Sequence, residues 1–432
     1  LTMHSLRFFF EDITGGTLRA PAVPLELLIV AAFLPKSWEL RLADENVRPI
    51  SNEDLLWADV VIASATQAQI DSFDVIANRA HAFGKPVVVG GLDPSLCPHF
   101  YEKADYLHIG RAGDATREMI FELNTNPELQ DKQKVFTVDK FIHLEDYPCP
   151  RYDLINVKEY LMMAVQTTQG CPFDCEFCDV VVFYGRTTIS KRPKQITDEL
   201  TVLYDLGYRG AVWFIDDNFA GDVARAQKLL PQVIDWQRNH NYSFAFFTSA
   251  SVNMAEHPGL LNSMREAGFF GAFIGMESPD PIDLKAISKP QNMYRPLLES
   301  VEIIRSYGIE PIGAFILGLD TDTPESVDKL VNFVEKANIV AAQIYLLMGV
   351  QGTRTYKRLA TEDRIMAQPH KSPLLPTNLL YKIGQNEAFV QLRDAWRRIY
   401  EPRVFFARIR RNIATHKTGD APFSRVTSPH FN

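Results

Sequence analysis

Cysteine is scarce in this chain: five residues among 432, three of them between positions 171 and 178. So few thiols make no disulfide framework, and a reducing, cytoplasmic setting is expected. An excess of positive charge is also missing. Lys and Arg number 45 against 53 Asp and Glu, a net charge of -8, which excludes the basic footprint of a nucleic-acid binder. No apolar run approaches the roughly 20 residues needed to span a bilayer. The most apolar N-terminal stretch, residues 25–34, reads as a buried helix, and membrane contact is expected to be peripheral at most. A secretory signal and internal repeats are likewise not visible. What is present is ordinary for a globular protein, with 46% hydrophobic and 23% charged residues and enough length for two or three domains.

Residues 1–125 alternate between strand-like and helix-like runs. Strands are expected at 38–42, 59–63, 86–90 and 105–109, and helices at 24–34, 67–82 and 112–123. That alternation predicts a doubly wound, Rossmann-like α/β domain whose ligands sit at the carboxyl ends of its strands. Such a unit ordinarily opens with a strand, and residues 1–18 do not look like one; the strand lies upstream, or the domain is incomplete. Residues 126–160 are polar and contain Tyr147-Pro148-Cys149-Pro150-Arg151, and they read as a linker. Over 161–360 the alternation restarts, with strands expected at 162–168, 211–217, 243–249, 271–277, 311–317 and 341–348. Helices fit between them at 193–206, 222–239, 258–267, 295–307 and 324–337. Six strand–helix units predict a partial (β/α)6 barrel, with chemistry at the C-terminal strand ends. Residues 361–432 read as a helical C-terminal extension, with helices expected at 391–400 and 403–411.

The strongest signal is Gln169-Gly170-Cys171-Pro172-Phe173-Asp174-Cys175-Glu176-Phe177-Cys178. Thiolates are the natural ligands of iron–sulfur clusters, and three in one short loop can wrap a cluster while leaving one iron open. Gly170 and Pro172 suit a tight loop at the end of the first barrel strand. A zinc site would need a fourth ligand close by, often a second Cys pair or a His pair, and none follows.

Cys-x3-Cys-x-aromatic-Cys after the first strand of a six-unit barrel resembles the radical S-adenosylmethionine (SAM) superfamily, over roughly residues 160–360. The resemblance implies that Cys171, Cys175 and Cys178 ligate a [4Fe–4S] cluster whose open iron binds SAM. An electron from a donor such as flavodoxin or ferredoxin would then release a 5′-deoxyadenosyl radical. Further SAM contacts follow by position. Phe177 falls where an aromatic lies near the adenine. Asp216 and Asp217 end the second strand, where many members carry Gly-Gly-Glu toward the SAM ammonium. Ser249 ends the third strand, and Glu277 ends the fourth, suiting ribose hydroxyls or substrate. Gly313 on the fifth would let backbone approach the adenine. Plain strand-end hydrogen bonding is the competing reading for each polar residue.

The order of a doubly wound domain, a barrel and a helical tail resembles the cobalamin-dependent branch of the superfamily. Hopanoid methylases and other lipid or natural-product C-methyltransferases are the members most like it. Pro24-Leu25-Glu26-Leu27-Leu28, Asp44-Glu45-Asn46-Val47, Trp57-Ala58-Asp59 and Gly90-Gly91 carry this resemblance. It implies a cobalamin, with Gly90 and Gly91 allowing close approach to the corrin and Ser64 and Thr66 beside its nucleotide tail or lower face. Three features depart from the pattern. The opening strand is not seen, Glu26 replaces a usual glycine, and Gly110-Arg111-Ala112-Gly113 replaces a glycine–glutamate turn; nor does an Asp-x-His-x-x-Gly supply a histidine below the cobalt, which many members lack too. Cys97 and Cys149 are expected to be buried small side chains.

The function these readings imply is methylation of an unactivated carbon on a small-molecule or lipid-like substrate. Alternatives are a radical cyclisation, ring contraction, C–C coupling or oxidation without methyl transfer, and a non-catalytic iron–sulfur protein. The apolar run 24–34 and the tail residues Tyr400, Phe405, Phe406, Arg408, Arg410 and Arg411 suit a lipid-like or aromatic acidic substrate; plain packing accounts for them equally.

Overall fold

The computed structural model describes residues 19–66, 69–125, 127–370 and 377–415. The chain divides into two compact units, residues 1–164 with 198–208 and residues 165–197 with 209–432. In the first, β2 (Val61–Ser64), β3 (Val87–Gly90), β4 (Tyr106–Ile109) and β5 (Lys134–Thr137) form a parallel sheet in that order. Valine-rich strands such as Val87-Val88-Val89 are apolar on both sides because both faces are covered. Val87, Val89 and Leu107 pack with Leu55, Phe73 and Ala77 on one face. Val88 and Tyr106 pack with Met119 and Leu123 on the other. Burial of each large apolar side chain contributes about 1.5–3 kcal/mol. Asp105, buried at the start of β4, accepts hydrogen bonds from Val87 N at 2.7 Å and Gln130 N at 2.9 Å, fixing the register of the sheet.

The same unit holds β1 (Ala20–Ala22), which pairs in parallel with β6 (Tyr160–Val165), Ala20 opposite Tyr160. Tyr152 Oη donates to Ala164 O at 2.7 Å and Tyr160 Oη to Asp44 Oδ2 at 3.1 Å, so two buried phenols tie β6 to its own unit.

Several expectations for this region need correction. Residues 38–42 form no strand. Trp38 to Asn46 and Ala58 to Ala65 line the same cavity, of about 1070 Å³, and among the described residues no strand pairs with the first of these segments. A helix, Asn52–Trp57, was not expected. It starts on a capping box in which Ser51 and Asp54 satisfy each other's backbone amides. Within the polar stretch 126–160 lies β5, a strand with mostly exposed side chains. Cys97 is buried as expected, whereas Cys149 is exposed. His108 is buried on β4, bonded through Nε2 to Thr116 Oγ1 at 2.8 Å, and burial lowers its pKa. Residues 1–18, which do not look like the opening strand such a unit ordinarily has, lie outside the described residues.

In the second unit β7 (Thr168–Gln169) and β8 (Ile189–Ser190) make a short antiparallel pair. Five parallel strands follow in sequential order: β9 (Ala211–Phe214), β10 (Ala245–Ala250), β11 (Phe269–Glu277), β12 (Glu310–Leu317) and β13 (Ala342–Leu346). Val165, the last residue of β6, accepts at its carbonyl from Ile215 N at 2.9 Å. The result is the curled parallel sheet of a partial barrel. Helices Val223–Asn239, Pro258–Ala267, Leu297–Ser306 and Ser326–Lys336 connect its strands. Phe214, Phe219, Phe246 and Phe269 meet in the core with ring centroids 4.9–6.0 Å apart, within the range of favourable edge-to-face pairing.

Helices Gln385–Ile399 and Pro402–Thr415 close the described chain. Arg408 is fully buried and, with Arg411, pairs with Glu335, while Tyr400 Oη donates to Ala342 O at 2.7 Å. Arg408 and Tyr400 therefore pack the tail onto the barrel unit, while Arg411 stays half exposed. Among the described residues no helix is long and apolar enough to cross a membrane.

Candidate active site

The site begins where the chain leaves β7. Gly170 has φ +90°, and a Cβ there would lie 2.6 Å from Thr187 O, so only glycine fits the entry to the cysteine loop. Two adjacent carboxylates just past β9 hold that entry. Asp216, almost fully buried, accepts from Thr167 N at 2.6 Å, from Thr168 N at 2.9 Å and from Thr167 Oγ1, and lies 3.6 Å from Arg225. Asp217 accepts from Gly170 N at 2.7 Å. Burial raises its pKa to about 7; the Gly170 bond works against the shift, and Asp216 and Asp179 add to it.

Cys171, Cys175 and Cys178 are half-buried free thiols on this one loop. Asn218 Nδ2 donates to Cys171 Sγ at 3.6 Å, and Gln291 Nε2 to Cys175 Sγ at 3.3 Å. Burial pushes the Cys171 and Cys178 thiols up. Among the described residues no three His, Cys, Asp or Glu side chains stand ready as a metal-ligand set. The donor chemistry nonetheless suits an iron–sulfur cluster. Three thiols share a loop without a nearby zinc-type partner, and two of them receive side-chain amide hydrogen bonds at sulfur, as cluster ligands do. Thr168 Oγ1 and Gln169 Oε1, just before the loop, and Gln291 Oε1 are buried without a hydrogen-bond partner among the described residues. Orphaned acceptors at the loop's entry and on the residue that bonds Cys175 fit an occupant.

Glu277 closes β11 with φ +62° and is buried against Lys289, whose Nζ donates to its Oε1. Burial opposes the charge on Lys289, but Glu277, Cys175 and Cys178 outweigh it and its pKa is raised. A Cβ on Gly275 would stand 2.5 Å from Glu277 Oε1 and 2.7 Å from Lys289 Nζ, so this strand glycine makes room for the ion pair. Lys289 Nζ lies 5.9 Å from the Phe177 ring centre. Glu277, Phe177 and Cys175 are thus brought together through Lys289 and Gln291, two residues that sequence reasoning missed. Both lie in the loop after helix Pro281–Ala286 rather than at a strand end; only the polar run Lys289-Pro290-Gln291-Asn292 signalled them.

Ser249, on β10, pairs with Phe273 and accepts at its carbonyl from Phe219 N at 2.9 Å. A Cβ on Gly313 would lie 2.7 Å from the Phe315 ring. In the first unit Ser64 Oγ donates to Glu26 Oε2 at 3.0 Å, and Gly91, with φ +117°, has the Ser64 hydroxyl 3.1 Å from where its Cβ would be. Gly90 packs on His108 Cβ, and Thr66 bonds through N and Oγ1 to Gln69 Oε1. Ser64 lines the 1070 Å³ cavity of that unit.

A curled parallel half-barrel that carries a three-cysteine loop beyond its first strand defines a radical SAM enzyme. The chain belongs to the radical SAM superfamily: residues 165–334 match it directly. Over 391 residues the chain is 38% identical to a hopanoid C-2 methylase of Rhodopseudomonas palustris, covering 90% of this chain and 73% of that one. It is 35% identical over 400 residues to an uncharacterized methyltransferase of Synechocystis, covering 89% and 72%. Among solved structures, TsrM from Kitasatospora setae, a radical SAM methyltransferase with cobalamin and a [4Fe–4S] cluster bound, superposes with a TM-score of 0.66. That match has 16% identity and covers 82% of this chain and 78% of that one. The cobalamin-dependent SAM radical enzyme OxsB gives 0.58 at 18% identity, covering 80% and 54%. The fold is therefore shared with cobalamin-binding members, and the non-catalytic alternative is set aside.

Proposed function

We propose that this enzyme is a cobalamin-dependent radical SAM C-methyltransferase acting on an unactivated carbon of an extended, lipid-like molecule. The observation that carries the proposal is the 170–178 loop, with three thiols on one loop, its entry latched by Asp216 and Asp217 and two of its sulfurs hydrogen-bonded by Asn218 and Gln291. Cys171, Cys175 and Cys178 would hold the cluster. Phe177, Asp216, Asp217, Ser249, Glu277 and Gly313 are the groups we assign to SAM. Asp216 serves through the backbone it fixes, and Lys289 holds Glu277 in place. Ser64, Thr66, Gly90 and Gly91 are assigned to cobalamin. When bound, the cluster and SAM supply a 5′-deoxyadenosyl radical, and cobalamin a methyl group. The protein's own part is to present the thiols, orient the nucleoside and keep water from the radical. The relatives' names, which include methylases of hopanoids and of bacteriochlorophyllide d, support a large apolar substrate.

The test is transfer of a deuterated methyl group. Anaerobically reconstituted protein, supplied with cobalamin, reductant and methyl-labelled SAM, is expected to show corrinoid absorbance and to label a hopanoid or similar polycyclic lipid. Substrate turnover without corrinoid and without the label would contradict methyl transfer and favour a radical cyclisation, coupling or oxidation.

A further inference from the structure

The exit of the cysteine loop is gripped by a segment far along the chain. Helix Arg354–Thr361 follows β13 and starts on Thr353, whose hydroxyl accepts from Tyr356 N. Its first turn faces the two residues that flank Cys175. Arg354 Nη2 donates to Asp174 O at 2.5 Å. Thr355 N donates to Glu176 O, and Thr355 Oγ1 to Glu176 Oε1, each at 3.1 Å. One turn later Arg358 Nε donates to the same carboxylate at 3.0 Å, with Nη2 at 2.9 Å. Just before the helix, Gly352 has φ +87° and approaches so closely that a Cβ would stand 2.8 Å from Val182, on the helix that follows Cys178. Glu176 N is also bound, to Ile287 O at 3.0 Å.

We propose that 352–358 is the outer wall of the cluster seat and that Arg358 is a positioning residue acting on Cys175 and Cys178 through Glu176. The proposal rests on the assignment of Cys171, Cys175 and Cys178 as cluster ligands. The physical reason is that residues 171–178 have almost no regular backbone pairing of their own. Their geometry is set by tethers: Asp216 and Asp217 at the entry, and this helix at the exit. A neighbour that fixes a ligand's geometry affects the metal's retention by about ten- to a hundredfold when removed. Arg358 also donates to Asp320 Oδ2 at 2.7 Å, beyond the end of β12, which gives an internal control.

The experiment compares iron content, the electron paramagnetic resonance spectrum of the reduced cluster, and the rate of iron loss to a chelator. It uses the full chain, reconstituted anaerobically, as wild type and as Arg358→Ala, Arg358→Lys, Thr355→Val and Asp320→Asn, with thermal midpoints of the apo proteins alongside. Expected are iron loss about tenfold faster in Arg358→Ala, a smaller acceleration in Thr355→Val, an altered signal in both, and partial rescue by Arg358→Lys. Asp320→Asn, which removes the charge from another of the same arginine's partners, should retain iron like wild type. Equal retention in Arg358→Ala and wild type would overturn the proposal. So would iron loss in Asp320→Asn equal to that in Arg358→Ala, since general destabilisation would then explain both. A wild-type chain that takes up no iron would instead overturn the ligand assignment, and this proposal with it.

Discussion

Asp216 and Asp217 are adjacent carboxylates with opposite surroundings. Asp216 accepts from two amides and a hydroxyl and faces Arg225, all within the chain. Asp217 has Gly170 N as its close donor and stays near pH 7 in its titration because burial dominates. Strand-end position alone, visible in the sequence, could not separate a carboxylate that holds backbone from one available to a ligand. Asp216→Ala leaves Arg225 buried beside unpaired amides, a mechanism that costs about 3–5 kcal/mol; urea unfolding should show the drop, and an unchanged midpoint would refute the latch. Thr167→Val removes one bond and should cost about 1 kcal/mol in the same assay. Gly275→Ala drives a methyl group into the Glu277–Lys289 pair. It should destabilise by at least about 1–3 kcal/mol, the usual penalty for overpacking, whereas Gly308→Ala, with open space around it but positive φ, tests the backbone effect alone.

Elements were legible where hydrophobic pattern and structural role coincide. Each of the five strands β9 to β13 falls on an apolar run that the sequence marks, because every one is covered on its buried face. Residues 38–42 have the same strand-like pattern, but pattern does not supply a hydrogen-bonding neighbour, and the segment lines a cavity outside any sheet. Lys134–Thr137 was hidden for the opposite reason: its side chains are mostly exposed, so nothing apolar announced it. Gln291 and Lys289 stand on a loop whose path depends on Asn292 bonding Gly275 O and Met276 O at 3.0 and 2.9 Å, a long-range fact without a local signal. The helix at 354–361 also meets Asp320, which Arg358 and Arg364 bind at 2.7 Å each, with Lys382 at 3.5 Å and Glu176 and Glu362 sharing the arginines. Burial works against the Asp320 charge, but the Arg364 and Arg358 bonds prevail and hold its carboxyl at about 2. A depressed carboxylate stabilises the fold above its unfolded pKa and loses that contribution as pH falls toward 2. Between pH 5 and pH 2 the loss should reach about 1–2 kcal/mol. Asp320→Asn should lack that component in chemical denaturation; an identical pH profile in the variant would contradict it.

Across the whole molecule, sequence similarity to a hopanoid C-2 methylase extends over 90% of the chain, so it includes both units and not the barrel alone. The barrel unit supplies the thiol loop and the groups tethering it. The other unit supplies a sheet with Ser64, Gly90 and Gly91 at its strand ends and a large cavity beside it. The spacing of three cysteines carried the superfamily. What no composition or spacing could give is the set of distant residues that hold the loop in shape.

The central claim is that Cys171, Cys175 and Cys178 together bind a cluster that cleaves SAM. The direct measurement is 5′-deoxyadenosine formed from SAM and reductant by the anaerobically reconstituted chain and by its three single Cys→Ala variants. Product from the wild type and none from any variant is the expected result; equal product from the variants, or none from an iron-loaded wild type, would contradict it.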